Sequence, residues 1–373
     1  MKPWVGISLM SEADFIESAL PLFQNSEIDV IEWSFDTLKF NRKESEWLSA
    51  LLNDYSKNGR LIGHGVRYSL LDASWGANQQ KWLKQLSNTV KKYNYRHITE
   101  HFGFMTSNDF HKGAPLPVPL NKSTLSIGQD RLKRLQNAAG LNVGIENLAF
   151  VFSEDQAKEQ GEFLEKLIEP INGFLILDLH NIWCQSINFN IDAHALIKSY
   201  PLHKVKEIHV SGGSWATVST SKNKVRRDTH DEAVPKHVFD LLKQALPLCK
   251  NIECVIFERL GNTIITVEDK LQFVKDFRKI KKIVSLIKGN ENLPNELFEK
   301  VVLQHSLPNK PLESEALKLQ QQIIINVLLK NTDPIIAIHL LKNNKSLQNT
   351  NWNTQLWSDS MVETAMNLIK KWS

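Results

Sequence analysis

The feature that most limits how this chain can fold is a regular alternation. Eight times within residues 1–286, a short run rich in apolar residues is followed by a stretch with helical apolar spacing. The runs lie at 4–10, 28–33, 61–66, 97–102, 141–147, 175–183, 205–210 and 254–259. Short runs with little polar alternation are the profile of strands buried on both faces, as in a parallel sheet covered by helices. Stretches from Ser11, and near 44–57, 78–93, 122–139, 154–169, 191–199, 236–247 and 266–286, supply the helices, with Ser11 placed to cap the first. Eight such units in an α/β chain add up to a (β/α)8 TIM barrel over residues 1–286. A doubly wound open sheet would carry a glycine-rich phosphate loop after its first strand, and Ser8-Leu9-Met10-Ser11 is not one.

Beyond residue 286 the pattern changes. Gly289 to Asn295 reads as a polar linker, and 296–305, 311–330, 333–342 and 358–371 keep helical spacing without a strand signal. Residues 287–373 are therefore expected to form a small all-α C-terminal domain, with Trp352, Trp357 and Trp372 in its core. No apolar run approaches the ~20 residues that span a bilayer. The three cysteines, Cys184, Cys249 and Cys254, show no CxxC spacing and read as packed core thiols. A cytoplasmic protein without a membrane partner fits these features. The net charge of +4 is too small and too dispersed to argue for nucleic acid, and the basic runs Arg226-Arg227 and Arg278 to Lys282 read as solvated faces.

Barrel active sites are assembled at the carboxyl ends of the strands. There the sequence places His64 on the third strand, Glu100-His101 on the fourth and Glu146-Asn147 on the fifth. Asp178, His180 and Asn181 end the sixth, His209 the seventh and Glu258 the eighth, while Asp228-Thr229-His230-Asp231 lies on the loop after the seventh. Glu146, Asp178, Asp228 and Glu258 in one partly dry cavity cannot all stay ionised without cations among them. His64, His101, His209 and His230 add nitrogen donors, and together these groups outnumber what a single ion can coordinate. Two or three metal ions bridged by carboxylates are expected, against the alternative of a purely structural polar network. Imidazole and carboxylate without thiolate suit iron, manganese or zinc, and spacing does not choose among them.

Glu100 and Asn147 read as supports of the ligands, and Glu32 and Asp36 as supporting or substrate-facing groups. His180 is divided between support and core packing. His97, His111, His194, His203, His237, His305 and His339 read as surface or packing residues.

These residues carry a resemblance. His64 in GHGV, Glu100-His101 in TEHFGF, Glu146-Asn147 in GIENLA, Asp178-x-x-Asn181 in LDLHNIW, His209 in EIHVSGG, Asp228-x-His230-Asp231 in DTHDEAVP and Glu258 in FERLGN stand in order at strand ends. Over roughly residues 4–286 the chain resembles the multinuclear non-heme iron-dependent oxidases (MNIO), the family that includes the methanobactin-biosynthesis enzyme. The resemblance implies a xylose-isomerase-like barrel with two or three iron ions, mixed Fe2+ and Fe3+, and dioxygen as co-substrate. It also implies oxidative modification of a ribosomally synthesised precursor peptide, commonly at cysteine, as in RiPP natural-product biosynthesis. Carried over by position, His64, His101, Glu146, Asp178, His209 and Glu258 would be catalytic metal ligands, joined by Asn181, Asp228 and His230. Val66-Arg67-Tyr68-Ser69 stands where family members often have a longer polar run, and residues 287–373 lie beyond the usual core. Many relatives work with a leader-peptide-binding partner protein, so the extra helices are expected either to bind the peptide or to dock such a partner.

Two other readings compete. An endonuclease-IV-like zinc phosphodiesterase shares the barrel and the ligand order, but has histidine where Asn181 stands, and an amide oxygen suits zinc less well. Its DNA would also call for basic mouth loops, and residues 105–120 are not notably basic. A xylose-isomerase-like sugar isomerase or epimerase needs only Glu146, Asp178, His209 and Glu258, which leaves His64, His101, Asp228 and His230 without a role.

Overall fold

A computed structural model of the chain describes residues 2–37, 44–105, 115–287 and 305–372, with side chains as far as Lys370. The expected linker at 289–295, nearly all of the helix expected at 296–305, His111 and the side chain of Trp372 lie outside the described residues. Eight parallel strands close into a barrel: β1 (Trp4–Leu9), β2 (Val30–Trp33), β3 (Leu61–Gly65), β4 (Ile98–His101), β5 (Val143–Glu146), β6 (Phe174–Asp178), β7 (Val205–Val210) and β8 (Cys254–Phe257). Each strand pairs with its neighbours in sequence, and β8 returns to β1 with Trp4 opposite Cys254. The barrel is the expected one, since helices outside and side chains inside leave these strands no wet face.

The helices are α1 (Ala13–Gln24), α2 (Glu46–Lys57), α3 (Ala77–Lys92), α4 (Lys122–Ala139), α5 (Glu154–Ile168), α6 (Leu179–Phe189), α7 (Ala193–Ser199), α8 (Lys236–Ala245) and α9 (Val267–Ser285). Short polar side chains start several of them: Asn121 accepts the Ser123 and Thr124 N–H groups, and Thr266 and Asp269 form a reciprocal box. Ser11 does not cap α1; Glu12 holds that position without a side-chain bond.

The larger correction is in the sixth unit. The run 175–183 is not all strand: α6 begins at Leu179, immediately after β6. Asp178 is itself the cap, with a carboxylate oxygen 2.5 Å from the Asn181 amide nitrogen. The apolar residues Leu179, Ile182 and Trp183 are the buried face of a helix, which a short window cannot distinguish from a continuing strand.

Three more helices follow, α10 (Glu315–Lys330), α11 (Pro334–Asn343) and α12 (Asp359–Trp372). Of these, α10 and α12 pack on loops that leave the carboxyl ends of barrel strands, and α11 packs against both. Gln321 of α10 accepts the Ala73 N–H and donates to Leu71 O, both at 2.9 Å. Trp357 stacks on Phe152 with ring centroids 3.7 Å apart, and the Ser358 N–H donates to Phe152 O at 2.9 Å. Trp352 and Trp357 are both buried. Glu363 of α12 accepts hydrogen bonds from the main-chain N–H and hydroxyl groups of Ser219 and Thr220, in the loop after β7.

Candidate metal centre

Strand periodicity builds the site. Along β2, β3 and β8, residues two apart share the inward face. Val30, Ile62 and Ile256 belong to an apolar layer inside the barrel, and Glu32, His64 and Glu258 stand two residues further on, at the mouth. Register does the rest: His101 lies opposite Glu146, and Asp178 opposite His209. Asp228 and His230 enter from the loop after β7. His230 has a left-handed backbone, φ 51°, held by the Leu260 N–H donating to its carbonyl at 2.9 Å. Such strained positions concentrate at functional sites.

The structure gathers these side chains into overlapping groups that could each hold a metal ion: His64, His101 and Glu146; Glu32, His209 and Glu258; Glu146, Asp178 and His209; Asp178, His230 and Glu258. The Nε2 atoms of His64 and His101 lie 3.6 and 3.5 Å from one oxygen of Glu146. His209 Nδ1 is 3.3 Å from Glu258 and 3.8 Å from the other oxygen of Glu146. Asn181 sits against this cluster, donating to Asn147 O at 2.8 Å and to Glu146 at 3.3 Å.

Hydrogen bonds on the far side of each imidazole decide which nitrogen faces the cavity. Thr99 donates its hydroxyl to Gly63 O, so it accepts from His64 Nδ1 at 2.7 Å and leaves Nε2 free. His101 Nδ1 donates to the carbonyl of Gly65 at 3.2 Å, with the same result. His209 is turned the other way: Nε2 reaches Glu207 at 3.3 Å, and Nδ1 faces the mouth. His180 accepts from the Arg226 guanidinium at Nε2, 3.2 Å, so its Nδ1–H donates to Asp228 at 3.0 Å. That makes His180 a support of Asp228.

The electrostatics fit a site built for cations. Burial raises Asp178 well above the usual carboxylate range, and Asp228, Glu146 and Glu258 beside it raise it further. Burial likewise pushes Glu32 up to about 8, against the pull of His209. Burial works against ionisation of Glu258 too, but His209 and His230 outweigh it and hold the carboxyl at about 2. Burial opposes a charge on His101, yet Glu146 and Glu100 hold it up to about 10. The imidazoles thus hold Glu258 down, whereas Glu32 and Asp178 are driven toward the protonated form. Both oxygens of Glu32, Asp178 Oδ2, Asn181 Oδ1, His209 Nδ1 and Glu258 Oε2 are buried without a hydrogen bond, while His230 Nε2 makes an ion-pair contact with Asp228 at 2.8 Å. Orphaned donor atoms converging on one space are costly in an empty site and are what metal ions satisfy.

Sequence reasoning underweighted three residues. Glu32 is fully buried, with an oxygen 3.2 Å from His209 Nε2, in one of the groups above. Glu207, also fully buried, joins His209 to His97 at 2.8 Å, so His97 is a buried partner of this network. The inward spacing of Glu207 and Glu32 along their strands was the available signal. Arg226 is the third: only 3% exposed, it is no solvated face. Its guanidinium lies 4.5 Å from the Trp183 ring centroid, a cation–π seat that no charge pattern reveals.

Above the ligands lies a cavity of about 590 Å³, walled by Trp33, Leu148, Phe150 and Arg227 and, from α12, by Thr364 and Leu368.

Fold and site together define an α/β barrel with buried groups at its mouth that could bind several metal ions. The chain belongs to the family of the RiPP precursor modification enzyme MbnB/TglH/ChrH, whose model matches residues 11–284. This is the family whose motifs the sequence resembles. Among its relatives, a UPF0276 protein of Acinetobacter baylyi is 24% identical over 267 residues, covering 69% of this chain and 85% of that protein. A UPF0276 protein of Chromobacterium violaceum is 27% identical over 198 residues, covering 53% of this chain and 69% of that one. Among solved structures, endonuclease IV from Thermus thermophilus aligns with a TM-score of 0.47 and 14% identity, over 75% of this chain and 99% of that one. D-psicose 3-epimerase from Clostridium cellulolyticum aligns with a TM-score of 0.49 and 12% identity, over 76% and 99%. Family membership makes the chain an enzyme of RiPP precursor modification, with a peptide as its substrate class. Among the described residues, no helix is long and apolar enough to cross a membrane.

Proposed function

We propose that this enzyme uses two or three iron ions and dioxygen to oxidise a ribosomally made precursor peptide at cysteine, in the cytoplasm. The observation that carries the reading is the family match over residues 11–284 to a chain whose mouth holds buried, orphaned imidazole, carboxylate and amide donors. His64, His101, Glu146, Asp178, Asn181, His209, Asp228, His230 and Glu258 would hold the metals. Iron would supply the one-electron chemistry and the affinity for thiolate and dioxygen that these side chains lack. The chain's own part is placement. Thr99, Glu207 and His180 orient three imidazole and carboxylate ligands, and Trp33, Leu148 and Phe150 form an apolar part of the cavity wall.

Residues 1–286 act as the catalytic domain, and 287–373 as the part that receives the peptide or a leader-binding partner. The seating of α10 and α12 on the loops around the mouth supports that division. Anaerobic purification with metal analysis and Mössbauer spectroscopy tests the reading, together with mass spectrometry of a Cys-containing precursor encoded nearby. Two or three irons per chain and an oxygen-dependent mass change are expected. Stoichiometric zinc with cleavage of abasic DNA would overturn it.

A further inference from the structure

The adjacent arginines of the loop after β7 have different fates. Arg226 is fully engaged: its main chain is held by Asn188 at 2.8 and 2.9 Å, and its guanidinium by His180 and Trp183. Arg227 is partly buried and lines the cavity beside Asp228 and His230. Its main-chain N–H is fixed on Ser214 O at 2.9 Å, so the residue is anchored. Among the described residues its guanidinium has no hydrogen bond or ion pair. The neighbouring carboxylates are already committed, Asp228 to His180 and His230 at 3.0 and 2.8 Å, and Asp231 to Thr229 at 2.5 Å.

Burial lowers the pKa of the Arg227 guanidinium even with Asp228 and Asp231 nearby, so its desolvation is only partly compensated. Its planar fork matches a carboxylate, and Arg is the residue best suited to that pairing. The cavity of about 590 Å³ lies in the range that takes a small ligand or a short piece of peptide. We propose that Arg227 receives a carboxylate of the substrate peptide and so fixes the modified residue over the metal-ligating mouth. The inference rests on the peptide reading above and adds the substrate chemistry to it. The carboxylate has two available sources, the peptide's own terminus or an acidic side chain next to the modified cysteine.

The test uses the full-length, iron-loaded protein under anaerobic conditions and isothermal titration calorimetry. The probes are N-acetyl-cysteine against its amide, and acetyl-Cys-Asp-amide against acetyl-Cys-Asn-amide. In the wild type at least one acid should bind about tenfold or more tighter than its neutral partner, as a charged hydrogen bond is worth. Arg227→Gln should bring that ratio close to one with metal content unchanged, and Arg227→Lys should restore part of it. The pair that discriminates identifies the source of the carboxylate. Equal binding of both pairs to the wild type, a ratio that survives Arg227→Gln, or loss of metal in that variant would overturn the proposal. The same pairs with alanine for cysteine separate the two readings: a carboxylate preference of unchanged strength would sink the cysteine assignment and leave Arg227 standing.

Discussion

Stripping the metal from this centre should make the protein's stability fall as pH rises from 6.5 to 8. Several groups act in that window in the same sense, Glu100, His209 and His230 among them, and Glu32 and His101 set the minimum size of the effect. Burial lifts Glu32 from 4.5 to about 8. His101 goes from 6.5 to about 10, because Glu146 and Glu100 outweigh its burial. Both values are raised on folding, so each group contributes stability that is present below its unfolded value and is lost as pH rises through its folded one. Between pH 6.5 and 8 the folded protein keeps protons that the unfolded chain releases, at about 1.4 kcal/mol per pH unit per group. Two groups over about 1.5 units amount to ~4 kcal/mol, and relaxation with water entry should leave roughly half, ~2 kcal/mol. His64, lowered by its burial, acts with the opposite sign but only below 6.5, outside the window. At roughly 2 °C per kcal/mol for a large domain, Tm should drop by ~4 °C. With metal bound, cations take the place of those protons and the slope should vanish. Differential scanning calorimetry of chelated and reloaded protein reads this directly. A flat or rising Tm in the stripped protein, or equal slopes with and without metal, would refute the account of the cluster.

Three further outcomes are expected. Gly213→Ala would place a Cβ 2.3 Å from Arg227 O and 2.8 Å from His180 Cε1, displacing the Asp228 loop; metal analysis should show one ion lost while circular dichroism stays unchanged. Asp228→Ala or His230→Ala should remove one metal and most activity, and full metal content in both would mean that this loop ligates nothing. Trp357→Ala removes a buried ring stacked on Phe152 and should cost about 3–5 kcal/mol in chemical denaturation; a loss under about 1 kcal/mol would mean that α12 is not anchored there.

The comparison of sequence with structure turns on the range of the physics. His64, Glu146, Asp178 and Glu258 could be placed at strand ends because each closes a short apolar run, and a parallel barrel puts all such ends on one face. Sequence by itself determined the eight strand–helix units and the polar residues that punctuate them, since both follow from local periodicity and from the cost of burying charge. Tertiary structure decided what depends on closure. It put Glu32 of β2 against His209 of β7, across the barrel, and it turned Asp178 into both a cluster member and the cap of α6. It separated Arg226, sealed under Trp183 and His180, from Arg227 in the cavity wall. It also brought Thr364 and Leu368, near the end of the chain, to line a cavity begun at Ser8. Apart from the Asp178 cap, which is local, none of these pairings has a local signature, because the groups meet only when strands and helices distant in sequence have packed.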